Sequence, residues 1–203
     1  IWPFVAAMAT VVVASNILVQ YPFGHFGLQD LLTWGAFTYP LAFLVNDLTN
    51  RLYGPTTARK VVWAGFATGV ACSLIAAGFD ATTLRIAIGS GLAFLTAQLL
   101  DVAIFDRLRD RTWWKAPLAS TLVGSTVDTA LFFTIAFSAS LAFIHPADDV
   151  SWAAEVLPLL GFGPQAPLWI SLAVADWGVK LALALLALAP FRAAIAISVR
   201  RPA

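Results

Sequence analysis

The sequence predicts an all-α membrane protein, a bundle of six transmembrane helices with both termini in the cytoplasm. Three observations predict it. Of 203 residues, 60% are hydrophobic and 11% charged, against about a quarter charged in a soluble domain, so the apolar residues exceed what a soluble core can hide. They gather in six long segments, each near or above the roughly 20 residues that a helix needs to cross the hydrocarbon layer. Lys and Arg, finally, are confined to alternate connections, as topology in a bilayer requires. Closed barrels also satisfy their backbone in lipid, but these segments are too long and continuous for barrel strands.

The first predicted span, Trp2–Gln20, is apolar until Ser15, Asn16 and Gln20 near its outer end. The second, Thr33–Arg51, closes on Asn46, Asp47, Asn50 and Arg51. Asp47 and Arg51 stand four apart on one helix face and are expected to pair. Ala58–Phe79, the third, holds Cys72, the one cysteine, among small apolar neighbours; without a partner for a disulfide or zinc site it reads as a packing residue. Leu84–Leu108, the fourth, carries Arg85 at its outer start and Gln98 and Asp101 toward the cytoplasm. The fifth, Ala116–Phe143, sets Thr121, Ser125 and Asp128 in one polar stripe. The last, Pro167–Ile197, places Asp176 and Lys180 four apart with Trp177 beside them. Residues 1–203 thus form a single transmembrane domain without an internal repeat. The chain starts at Ile1, no signal peptide is visible, and a short N-terminal piece is expected to be missing.

Orientation follows from the basic residues. Arg51, Arg59 and Lys60 surround the second connection, Arg107, Arg109, Arg111 and Lys115 fill the fourth, and Arg200 and Arg201 lie at the end of the chain. The connection between the first and second spans has only His25 and Asp30 as its ionisable groups, and residues 144–166 hold Asp148, Asp149 and Glu155 with no Lys or Arg. The basic connections are therefore cytoplasmic. The Pro- and Gly-rich stretch 144–166, with Trp152 within it and Trp169 just after it, reads as an outer loop with aromatics at the headgroup level.

Ionisable residues inside a span cost several kcal/mol each and normally face the bundle interior, where they mark a site or pathway. Asp128 is the sharpest case, because no basic residue lies within a helical turn of it; its partner must come from another helix, water or a ligand. It is also the natural candidate for proton coupling. Other classes of function are disfavoured. A net charge of +1 and no basic run interleaved with aromatics argue against nucleic acid. There is no His-Glu-x-x-His, P-loop or Cys-x-x-Cys, and His25 and His145 fall far apart in outer connections, so neither catalysis, a metal nor a cofactor is expected.

Several motifs resemble one known family. They are Thr33-Trp34-Gly35-Ala36-Phe37, then Asp47-Leu48-Thr49-Asn50-Arg51 with Gly54-Pro55 and Ala58-Arg59-Lys60. They continue with Gln98-Leu99-Leu100-Asp101, Trp113-Trp114-Lys115-Ala116-Pro117, Ser120-Thr121 through Asp128-Thr129, and Asp176 with Lys180. This combination, covering nearly the whole chain apart from the outer loops, resembles the queuosine precursor transporter family, also called VUT. The resemblance implies a bacterial inner-membrane protein that takes up 7-cyano-7-deazaguanine or its 7-aminomethyl relative for salvage into transfer RNA.

A deazaguanine offers N–H donors that a carboxylate accepts as a pair, a carbonyl that Asn, Gln or Lys can reach, and a flat ring for an aromatic slot. Asp128 or Asp176 is accordingly expected to read the base edge, with Lys180, Asn16, Asn46, Gln98 and Ser125 as further polar contacts and Trp34, Phe37 or Trp177 as stacking surfaces. Asp47 with Arg51, Asp101 and Arg85 are assigned to a gate or charge network. Two competing readings are an S-type substrate-binding subunit of an energy-coupling factor transporter, also a small six-helix bundle, and an intramembrane enzyme. Small-residue faces on the first and third spans, including Gly65 and Gly69, suit either docking to such a partner or a homodimer.

Overall fold

Pro and Gly decide where the helices begin and break. The computed structural model describes residues 1–199, so Arg200 and Arg201 lie outside the described residues. Helix α1 spans Trp2–Leu18, with a proline in its first turn, where the missing N–H costs nothing. The expected second span is not continuous. It consists of a single turn, α2 (Gly35–Thr38), and a separate helix, α3 (Leu41–Tyr53), divided at Tyr39 and Pro40. Pro40 has no N–H to donate and its ring collides with the preceding turn, which interrupts the helix inside an otherwise apolar stretch. Gly54 ends α3 with φ of 85°, open to glycine at no steric cost, and Pro55 starts α4 at once. Helix α4 is therefore Pro55–Gly78, three residues longer at its start than expected.

Helix α5 (Leu84–Leu108) matches its predicted bounds, capped by the Thr83 hydroxyl accepting from the Ile86 N–H. Helix α6 covers Lys115–Phe137 and stops six residues before the expected Phe143; Ser138 is extended and residues 139–144 form a 3-10 turn. A residue from another helix ends it. Arg85, fully buried at the start of α5, donates to the carbonyls of Ile135 (3.1 Å) and Ser138 (2.6 Å), taking the place of a further turn of α6. The connection to the last helix is more ordered than a plain loop, with two 3-10 turns and a two-stranded antiparallel hairpin, β1 (Val156–Pro158) with β2 (Gln165–Pro167). Helix α7 then runs Leu168–Val199.

Helices α4, α5, α6 and α7 are long and apolar enough to cross a membrane. Helix α1 has 17 residues, about 26 Å at 1.5 Å per residue, and α3 has 13. The core has three centres. Met8, Val12, Ala42, Val61, Val62, Phe94 and Val102 join α1, α3, α4 and α5; Phe133, Ala136 and Phe137 pack with Val150 and Ala153 of the α6–α7 connection; Phe105, Ala116 and Phe191 tie α5, α6 and α7 at the other end. Gly124 lets α6 approach α3 and α5, since a Cβ there would meet Phe43 Cε1 at 2.7 Å and the Ala97 carbonyl at 3.3 Å. Gly65 does the same for α4. Its Cβ would lie 2.6 Å from Met8 Cγ, and one on Gly69 would touch Val12, so both glycines face α1 within the bundle.

Candidate functional site

At one end of the bundle the α1–α2, α4–α5 and α6–α7 connections meet, and a cavity of about 480 Å³ descends between the helices from there. Asp30, Thr82 and Trp152 line its mouth; Tyr39, Ser90, Asp128, Asp176 and Lys180 line its depth, with Phe132 and Phe133 as an apolar wall. The basic connections, with Arg59, Lys60, Arg107 and Arg111, lie at the opposite end.

The floor is a charged cluster built from two helices. Lys180 of α7 reaches Asp128 of α6 at 2.7 Å and Asp176, one turn earlier on its own helix, at 2.6 Å. Its third donor goes to Thr129 at 3.0 Å, and the Thr129 hydroxyl donates to Asp176 at 2.9 Å. The expected Asp176–Lys180 pair is therefore present, and Asp128, without a partner in sequence, finds one across the bundle. Three oxygens thus lie against the ammonium. Two carboxylates share one ammonium, so the cluster carries one excess negative charge. In each carboxylate only Oδ2 is engaged among the described residues, which leaves Oδ1 of Asp128 and of Asp176 able to accept from a molecule in the cavity. Tyr39 places its hydroxyl 3.3 Å from that of Ser90 on the cavity wall. Asn16 lines the wall too; its amide nitrogen donates to the Val12 carbonyl, which frees its oxygen.

The remaining predicted residues lie elsewhere. Trp177 is 38% exposed and its indole donates to Thr126 on the outer face of α6, away from the cavity. Trp34 and Phe37 surround Phe23, with ring centroids 4.8 and 4.6 Å from it, in an aromatic group with His25 above the α1–α2 turn. Asn46, Gln98 and Ser125 are buried but absent from the cavity wall. Asn46 donates to the carbonyl of Gln98 (3.1 Å) and to Asp101 (2.9 Å) between α3 and α5. Arg85 is a helix-end residue, as described.

The expected Asp47–Arg51 pair does not form. Asp47 accepts from Ser120 (3.3 Å) and Thr121 (3.2 Å) of α6, whereas Arg51 turns to the Arg109 carbonyl at 2.7 Å, where the charge can serve the end of α5. Arg109 in turn binds Asn50 and Asp106. The sequence reading passed over Tyr39 and Ser90. Nothing local distinguishes Ser90 from other small residues of α5, but Tyr39 precedes the helix-breaking Pro40, and a polar residue at a break in an apolar span is a signal.

The chain is similar to known proteins. A family profile described as "Putative vitamin uptake transporter" matches residues 33–195. A queuosine precursor transporter of Escherichia coli K12 is 40% identical over 143 residues, covering 63% of this chain and 64% of that protein. Proteins named as probable queuosine precursor transporters are similar too. That of Haemophilus influenzae is 37% identical over 155 residues (63% and 65% covered), and that of Bacillus subtilis is 29% identical over 199 (87% and 76%). The chain thus spans less than two thirds of the length of the first two relatives. No solved structure matches.

Proposed function

The chain belongs to the family described as "Putative vitamin uptake transporter", and from that premise we propose that it carries a 7-deazaguanine precursor of queuosine, 7-cyano-7-deazaguanine or its aminomethyl relative, across a bacterial inner membrane. The relatives' names support the substrate class. One observation supports the site: the Asp128–Lys180–Asp176 cluster offers free carboxylate oxygens at the floor of a cavity of about 480 Å³, within the range of small-molecule pockets. The ring N–H and exocyclic amine of the base edge donate as a pair to Asp128 or Asp176, the Tyr39 hydroxyl or Asn16 meets the remaining polar atoms, and the ring lies against Phe132 and Phe133.

In this reading α1 and the broken α2–α3 unit complete six passages with α4 to α7, in one transmembrane domain. Both termini sit on the cytoplasmic side with the basic connections, and the cavity opens to the opposite side. The test is equilibrium binding of 7-cyano-7-deazaguanine to purified protein. A charged acceptor is worth about 1.5–3 kcal/mol per hydrogen bond, so Asp128→Asn or Asp176→Asn is expected to weaken binding about 10- to 150-fold. Unchanged affinity in both variants would place the base elsewhere.

A further inference from the structure

A second buried acidic group lies deeper, and unlike the cavity floor it has no cation beside it among the described residues. Asp47 of α3 and Asp101 of α5 are 3% and 0% exposed, and Asn46, the neighbour of Asp47 on α3, donates to Asp101 at 2.9 Å, which brings the two acids together between α3 and α5. The cations described on the surrounding helices are held elsewhere or exposed, Arg85 of α5 by the Ile135 and Ser138 carbonyls. Arg51 is bound to the Arg109 carbonyl, and Arg109 to Asn50 and Asp106. On α7, Lys180 is held by Asp128 and Asp176, and Arg192 lies 5.1 Å over the Trp113 ring. On α6, Lys115 sits over Trp114 at the helix start, and on α4 Arg59 and Lys60 are exposed, as are Asp106 and Arg107 at the end of α5. Helices α1 and α2 carry no charged side chain.

Three side chains donate to the two acids. Asn46 spends its amide nitrogen on Asp101 and the Gln98 carbonyl, and Ser120 and Thr121 donate to Asp47. Four buried oxygens nevertheless have no partner among the described residues: Asp101 Oδ1, Asn46 Oδ1, Gln98 Oε1 and Ser125 Oγ. Two buried carboxylates on facing helices without a counter-ion cannot both be ionised in a low-dielectric interior. The void beside Asp47 and Thr121 is about 10 Å³, at the lower limit for one water, so a proton fits where a hydrated cation does not.

We propose that Asp47 and Asp101 share one proton and form the proton-binding site of the transport cycle, distinct from the substrate cluster on the cavity floor. This rests on the uptake reading above. The two sites are joined by shared helices. Thr121, which donates to Asp47, stands seven residues before Asp128 on α6, about 10 Å along the axis. Tyr39, on the cavity wall, immediately precedes Pro40 at the head of α3. A substrate that moves α6 or the α3 start therefore changes the separation of the two carboxyl groups, which releases or takes up the proton. That is the coupling a proton-driven carrier needs.

Two measurements test it. Infrared spectra of the purified protein at pH 7 are expected to show a protonated-carboxyl stretch that Asp47→Asn/Asp101→Asn abolishes and Asp128→Asn keeps. A wild-type spectrum without that band, or a band that survives in the double variant, overturns the assignment whatever the substrate. In liposomes, one proton per substrate gives about tenfold accumulation for one pH unit, acid on the cavity side. The double variant is expected to lose that accumulation relative to exchange of labelled for unlabelled 7-cyano-7-deazaguanine, a fall of about tenfold in their ratio. Wild-type accumulation that ignores the pH gradient, or follows a sodium gradient, overturns the proton site. Absence of exchange in the wild type counts instead against the uptake reading, and the infrared band still decides the proton.

Discussion

Removing Lys180 is predicted to damage the protein far more than removing either carboxylate it holds. The side chains are 5%, 7% and 15% exposed for Lys180, Asp128 and Asp176, so all three charges are largely withdrawn from solvent. Lys180→Met leaves two buried carboxylates side by side with no counter-charge and takes two hydrogen bonds and a second ion pair with it. Breaking a buried pair in this way costs about 3–5 kcal/mol. At about 2–4 °C per kcal/mol for a chain of this size, the unfolding midpoint falls by about 6–20 °C. Asp128→Asn leaves Lys180 paired one-to-one with Asp176 at 2.6 Å; it loses one charge-assisted bond of about 1.5–3 kcal/mol but also the second carboxylate charge, and so lowers the midpoint by less than Lys180→Met does. Adding Asp128→Asn to Lys180→Met is expected to recover part of the loss, because one uncompensated charge disappears. The assay is intrinsic fluorescence of the tryptophans on heating in detergent, all variants in the same detergent and salt. Equal midpoints for Lys180→Met and Asp128→Asn would refute the reasoning, since the lysine would then not be neutralising both acids.

Three further predictions concern the frame around the site. Gly124→Val forces a branched side chain against Phe43 and the Ala97 carbonyl and is expected to cost about 1–3 kcal/mol as overpacking, read as a lower midpoint; a midpoint equal to wild type would mean that α6 does not approach α3 so closely. Arg85→Gln removes the guanidinium that holds the Ile135 and Ser138 carbonyls, so limited proteolysis is expected to cut faster between residues 138 and 150, and unchanged cleavage would contradict the capping role. In the α6–α7 connection, burial pushes the Asp148 carboxyl up, but the Arg85 N–H and His145 beside it outweigh burial and hold it below the usual carboxylate value of about 3.9. A depressed value means that this stabilisation is complete above about pH 4 and is lost as the pH falls further. The wild-type midpoint should therefore drop more steeply than that of Asp148→Asn below pH 4, and parallel curves would count against it.

What the sequence could show was whatever depends on neighbours within a turn or two. The α5 bounds, the Asp176–Lys180 pair and the need of Asp128 for a distant partner all follow from spacing. Pro40 was in plain view within the predicted second span, yet the continuous apolar run on either side outweighed it, and the break was missed. Other features depend on contacts between residues far apart in the chain. Helix α6 ends at Phe137 because Arg85, 50 residues before Ile135, takes its last carbonyls. Lys180 stands 52 residues from Asp128. Polar type alone could not separate Asn46, Gln98 and Ser125, which are buried away from the cavity, from Asn16 and Tyr39, which line it. The aromatic residues divided in the same way. Phe132 and Phe133 form the wall, whereas Trp34, Phe37 and Trp177 lie outside it, because the pitch of each helix and not the ring type decides which face a side chain takes.

The most direct measurement is uptake of labelled 7-cyano-7-deazaguanine into liposomes containing only this purified protein. Saturable accumulation above protein-free liposomes, reduced at least tenfold by Asp128→Asn and competed by the unlabelled base, is the predicted result. Uptake no greater than in protein-free liposomes, from protein that still binds the base, would contradict independent transport and favour a binding subunit that needs a separate energising partner.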